Sequence, residues 1–243
     1  MFVQACLNGG RSKSENAAIP VTIAEIAADV AAVRSAGAAE LHIHVRNPAG
    51  DETIDPQHVA TCIAAVREAA PGMAVGISTG AWIRPGGRAR HDLMRQWDVL
   101  PDYVSINLNE DDAPEVMDIM LAQGVGIEAG IWTREDALRF VGLPQAPKCL
   151  RFLVETITDD PQGAMREYHR VMDILRSADF TLPMLLHGDG GSAWTMVREA
   201  ARQGYATRIG LEDCLAMPDG SDVSSNSALV TAAVRIMNDT PRG

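Results

Sequence analysis

The sequence predicts an α/β fold, a (β/α)8 TIM barrel, on three observations. Short, near-continuously apolar runs alternate eight times with longer runs of helical periodicity. The eight units occupy 243 residues, a length that one such barrel ordinarily takes. Polar side chains gather at the C-terminal ends of the apolar runs, where barrels of this kind carry their active sites. An open doubly wound sheet is the alternative, but no G-x-G-x-x-G follows the first strand.

The elements follow in order. A strand over Val3–Leu7 leads to a helix that starts at the capping box Thr22-Ile23-Ala24-Glu25 and is closed by Gly37. A second strand, Glu40–Val45, precedes a helix with Asp55 as N-cap and Pro56 at its first position, ended by Pro71-Gly72. The third and fourth strands, Ala74–Ser78 and Tyr103–Leu108, are separated by a long loop. Helix Ala113–Gln123, strand Gly126–Ala129, helix Arg134–Val141 and strand Leu150–Val154 come next. Helix Pro161–Arg176, strand Pro183–Leu186, helix Ser192–Gln203, strand Thr207–Leu211 and helix Ser225–Asn238 complete the series. Runs this apolar suit parallel strands covered on both faces, joined by right-handed crossovers. Residues 1–243 read as one domain.

Composition narrows the partners. Against 32 Asp+Glu stand only 21 Lys+Arg, a net charge of −11, which argues against nucleic acid as a partner. The N-terminus lacks a basic, then apolar, signal pattern, and no run approaches the roughly 18 apolar residues of a membrane span. Cys6, Cys62, Cys149 and Cys214 form no C-x-x-C pair and read as reduced thiols in a cytoplasmic protein.

Four constellations carry chemistry. Strand alternation sends His42 and His44 to one side and Leu41, Ile43 and Val45 to the other, so both imidazoles can chelate one ion, with Zn²⁺ preferred by nitrogen ligands. The plainer reading is a pair of hydrogen-bonded barrel histidines. In Arg208-Ile209-Gly210-Leu211-Glu212-Asp213, alternation points Arg208, Gly210 and Glu212 inward; Gly210 would leave room for a ligand or metal. Glu212 is then a candidate third ligand, leaving an open coordination position, and Asp213 a candidate base beside Arg208. An ion pair closing the barrel is the alternative. His187-Gly188-Asp189-Gly190-Gly191-Ser192 resembles an anion-binding turn, with Ser192 as helix cap, or else a tight connection needing positive φ. The loop after the third strand offers Ser78 and Thr79 as hydroxyl donors and carries Arg84, Arg88 and Arg90, suited to phosphates, another subunit's carboxylates or plain solvent. Arg11, after the first strand, is a substrate-carboxylate reader or a surface charge. His58 and His169 fall on predicted helices as surface residues, and His91 is ambiguous.

Ala5-Cys6-Leu7-Asn8-Gly9, Ala36-Gly37-Ala38-Ala39 before His42-Ile43-His44-Val45-Arg46, Ile77-Ser78-Thr79-Gly80, Ser105-Ile106-Asn107, Ile127-Glu128-Ala129-Gly130, His187-Gly188 and the Arg208–Asp213 motif together resemble the β-keto acid cleavage enzymes, from about residue 4 to 238. The resemblance implies zinc held by His42, His44 and Glu212, with Asp213 as base and Arg208 as its partner. It implies condensation of a β-keto acid with acetyl-CoA, then retro-Claisen cleavage to acetoacetate and a new acyl-CoA. Ser78, Thr79, Asn107 and Glu128 match positions near the substrate. Arg11 stands where an aminohexanoate-cleaving member has a carboxylate, which points to a neutral or anionic keto acid. CoA is expected at the turn of His187, Gly188, Gly190 and Gly191, and a homotetramer is expected. The competing readings are a metal-dependent hydrolase or aldolase with an H-x-H strand, and a barrel that binds without catalysis.

Overall fold

The computed structural model describes residues 1–178 and 181–241; residues 179, 180, 242 and 243 of the expected domain lie outside it. Its elements are β1 (Val3–Cys6), α1 (Ile23–Ser35), β2 (Glu40–Ile43), α2 (Pro56–Ala69), β3 (Ala74–Ser78), α3 (Gly87–Met94), β4 (Tyr103–Asn107) and α4 (Ala113–Ala122). They continue with β5 (Gly126–Ile131), α5 (Arg134–Val141), β6 (Arg151–Thr156), α6 (Pro161–Ser177), β7 (Met184–Gly188), α7 (Ala193–Gln203), β8 (Thr207–Ile209) and α8 (Asn226–Asp239).

All strand pairs are parallel, in the order β7-β6-β5-β4-β3-β2-β1-β8. The barrel closes between β7 and β8 through a bridge at Leu185 and Ala206. Strand residues alternate between a polar interior and an apolar shell under the helices, and the shell holds Leu41, Ile43, Val104, Ile106 and Ile127 among many others. The capping box at Thr22 and the Asp55 cap with Pro56 form as the sequence predicts.

Three local expectations are corrected. The long loop after β3 contains the helix α3, which starts after Pro85-Gly86 without a side-chain cap. Arg90, expected in a ligand- or subunit-facing loop, is fully buried on α3, bonded to the Thr79 carbonyl at 2.8 Å and to both oxygens of Asp112 at 2.9 and 3.0 Å. Gly210 makes room for the backbone of β1, not for a ligand: a Cβ there would stand 1.7 Å from the Cys6 carbonyl oxygen.

Candidate active site

At the C-terminal mouth of the barrel lies a cavity of about 230 Å³, lined by residues of β2, β3, β4, β6 and β8 and by residues that follow the strands, among them Gly10, Trp132 and Asp189. His42 is the third residue of β2; His44 lies just past the strand's end and keeps the same side. Asn8 fixes that position, accepting the His44 amide N–H at 2.9 Å and donating to the His44 carbonyl at 3.0 Å. The two rings meet edge to face with centroids 5.3 Å apart. Glu212 arrives from the turn after β8, so that its Oε1 stands 3.7 Å from His42 Nε2 and 3.3 Å from His44 Nε2.

Among the described residues, His42, His44 and Glu212 offer ligand atoms within 4.8 Å of one another. The set fits a divalent ion on two further grounds. Buried Glu212 Oε2 has no hydrogen-bond partner, an arrangement that costs free energy unless something else meets it. Around His44, burial opposes a charged ring, but Glu212 and Glu52 outweigh it and hold its pKa up to about 9. Two carboxylates there call for a positive charge, which a metal supplies as readily as a proton.

Arg208 reaches both acids, with Nη2 2.9 Å from Glu212 Oε1 and 3.2 Å from Asp213 Oδ1. Asp213 is 2% exposed and lies just behind the cavity wall. Burial raises its pKa to about 6 against the pull of the Arg208 charge. Its Oδ2 accepts from the Cys6 thiol, and its Oδ1 stands 3.6 Å from His187 Nδ1. His187 is fully buried, with Nε2 3.5 Å from Glu155 Oε2.

Of the expected substrate contacts, Ser78 and Asn107 line the cavity. Thr79 is turned away, donating to the Ser105 carbonyl at 2.8 Å. Glu128 is buried in the barrel floor, accepting from Gln4 and Arg151 at 2.7 Å each. Arg11 lies beside the site with its guanidinium engaged by the Glu212 carbonyl at 2.9 Å and by Glu15 at 3.0 Å. The turn expected to cradle CoA has its amides in use: Gly190 N–H donates to the Asp213 carbonyl at 2.8 Å and Gly191 N–H to Asp159 at 2.9 Å. A Cβ on Gly188 would meet Ser192 Oγ at 2.5 Å, Gly190 takes a φ of 56°, and Ser192 stands at the N-cap of α7 without a side-chain cap hydrogen bond, so the glycines serve close packing and a tight connection.

Sequence reasoning missed Glu52, Trp82, Trp132, Leu153 and Ile157, all next to the cavity or lining it. Trp132, Leu153 and Glu155 continue the inward alternation of β5 and β6, a signal available in the sequence. Glu52 and Trp82 sit on loops, where periodicity carries no information.

The family model described as beta-keto acid cleavage enzyme matches residues 1–242. The 3-keto-5-aminohexanoate cleavage enzyme of Fusobacterium nucleatum is 24% identical, over 100% of this chain and 93% of its own. The 3-oxoadipate:acetyl-CoA acetyltransferase of Cupriavidus necator is 26% identical, over 95% of this chain and 85% of its own. In structure, apo ObcA matches with a TM-score of 0.73 and 16% identity over 89% of this chain and 61% of its own, so this chain spans about three-fifths of ObcA. The 3-dehydroquinate dehydratase of Geobacillus kaustophilus HTA426 matches with a TM-score of 0.62 and 12% identity over 98% of this chain and 90% of its own. At such identities the structural likenesses speak for the barrel alone. The family match, running over nearly the whole sequence, does more: the chain belongs to the β-keto acid cleavage enzymes and is an enzyme acting on β-keto acids.

Proposed function

We propose that the protein exchanges acyl groups between a β-keto acid and acetyl-CoA, using zinc held by His42, His44 and Glu212. The observation that carries this reading is the convergence of those three side chains with Arg208 beside them and Asp213 directly behind. The acetyl-CoA acetyltransferase among the relatives supports the co-substrate.

When bound, zinc would supply a Lewis acid that polarises the keto oxygen and favours loss of the neighbouring proton. Asp213 takes that proton from the carbon between ketone and carboxylate. Its buried carboxylate is a stronger base than an exposed one, and Arg208 holds it in register. The carbanion forms a bond to the acetyl carbonyl carbon, and CoA thiolate leaves. The thiolate then adds to the original ketone, the carbon–carbon bond beside it breaks, and the proton returns from Asp213. The sum is one β-keto acid and acetyl-CoA in, acetoacetate and one new acyl-CoA out. Ser78 and Asn107 offer hydrogen bonds to the substrate head. The apolar wall of Trp82, Trp132, Leu153 and Ile157 suits a compact uncharged chain.

A cytoplasmic homotetramer belongs to the same proposal, to be checked by fractionation and light scattering. The decisive experiment supplies zinc-loaded protein with acetyl-CoA and a panel of β-keto acids. Acetoacetate and a matching acyl-CoA are expected together by chromatography; their absence with every acid overturns the reading.

A further inference from the structure

Beside the ligand set stand Glu52, on the loop after β2, and Trp82, on the loop after β3, neither of which takes part in a chemical step above. Glu52 Oε1 lies 2.5 Å from His44 Nδ1, the ring nitrogen opposite the one that faces Glu212. Trp82 Nε1 donates to both oxygens of the same carboxylate at 3.2 Å each. The indole lies nearly parallel to the His44 ring, with centroids 6.3 Å apart and an interplanar angle of 23°. Although 53% exposed, Trp82 has a shaped seat: a Cβ on Gly80 would come within 2.4 Å of its six-membered ring.

We propose that Glu52 and Trp82 form one positioning unit for the metal ligand His44, in which Glu52 sets the ring's tautomer and angle and Trp82 locks Glu52 while covering the ring. The inference rests on His44 being a ligand, as read above. An imidazole can give a lone pair to an ion through Nε2 only if Nδ1 carries the hydrogen, and a carboxylate at Nδ1 enforces that tautomer and raises the ligand's basicity. A carboxylate alone still rotates about its own side chain. An indole N–H shared between both oxygens restrains that rotation, and it ties the loop after β2 to the loop after β3 across the ligand. Glu52 and Trp82 are therefore positioning residues, and ion affinity reports on them more directly than turnover does.

The test uses the full chain, stripped of metal and titrated with Zn²⁺ against a chromophoric chelator, and with Co²⁺ followed by visible absorption. Glu52→Ala is expected to weaken Zn²⁺ binding by about 10–100-fold. Glu52→Gln, which keeps the volume and a neutral acceptor, should fall between Glu52→Ala and the parent, and Trp82→Phe should lose less than Glu52→Ala. Zn²⁺ should also change tryptophan emission in the parent, with that change lost in Trp82→Phe. Raising Zn²⁺ should recover much of the activity that Glu52→Ala loses at limiting metal, which a purely structural defect would not allow. Should Glu52→Ala fail to fold, Glu52→Gln and Trp82→Phe decide. Glu52 variants that bind Zn²⁺ within twofold of a tightly binding parent overturn this proposal alone. A parent that takes up neither Zn²⁺ nor Co²⁺ overturns the ligand assignment with it.

Discussion

Asp213 and Glu212 are adjacent carboxylates whose chemistry differs because their surroundings differ. Glu212 faces both imidazoles and Arg208, charges that outweigh burial and hold its pKa well below the usual carboxylate range. Asp213 is pushed up to about 6 by burial. On the proposed reading, separation of this kind suits one acid to holding a metal and the other to proton transfer. Asp213→Asn should therefore lower kcat by about 10²–10⁴-fold while leaving bound Zn²⁺ unchanged, measured by steady-state kinetics beside metal analysis. Turnover at the parent's level would remove Asp213 from the reaction. The grouping of these side chains was legible in the sequence: period-two alternation on β2 placed His42 and His44 together, and the motif after β8 brought Glu212 and Asp213 beside them. The family resemblance places Glu128 near the substrate, and alternation, which tells which side of a strand a residue faces but not its depth, offers no check on that. Three residues into β5, Glu128 lies in the floor and never reaches the mouth. Arg11, open in the sequence between substrate reader and surface charge, sits beside the site with its guanidinium taken up by a carbonyl and Glu15.

Among the elements, α8 and α1 show how the frame under the site is fastened. Asn226, at the first turn of α8, donates to the Leu7 carbonyl at 2.8 Å and to Asp29 of α1 at 2.6 Å, while its Oδ1 accepts the Leu211 amide at 2.6 Å. One buried amide thus joins the ends of β1 and β8 to two helices. The acid in this junction is held up to about 6 by burial, with Asn226 offsetting only part of that effect. A folded-state pKa above the unfolded value of 3.8 means that the folded protein holds the proton more tightly. Stability from this group is complete below about pH 4 and lost as pH rises through about 6. Asp29→Asn keeps an acceptor for Asn226 and removes the titration. Its stability relative to the parent should rise by about 3 kcal/mol between pH 3.5 and 7.5, read from urea midpoints. A constant difference across that range contradicts the assignment. Elements with caps at both ends, such as α1 and α2, were legible in the sequence. The helix α3 was not, because the Pro and Gly residues before it read as loop and it has no side-chain cap to announce it.

Over the whole molecule, the barrel divides into a mouth that holds the candidate site and a floor that holds a buried charge network. Arg151 stands at the centre of the floor, 6% exposed, bonded to Glu128 at 2.7 Å and paired with Glu40. Its guanidinium lies over Phe2 and Tyr103 at 5.0 and 4.9 Å from the ring centroids, and Gln4 bridges Tyr103 and Glu128. Removing one member of such a buried network leaves its partners charged and unpaired, which costs more than losing the network as a unit. Arg151→Met should destabilise the protein by about 3–5 kcal/mol, or roughly 6–20 °C in Tm, because Glu128 is then buried without a counter-charge. Adding Glu128→Leu should restore a large part of that loss. Since both residues sit below the cavity, kcat and Zn²⁺ affinity of the folded fraction should match the parent in both variants. Calorimetry with kinetics at a temperature where each variant is folded checks this. If Arg151→Met retains its Tm but loses turnover, the floor takes part in the chemistry and the division between the two ends of the barrel fails.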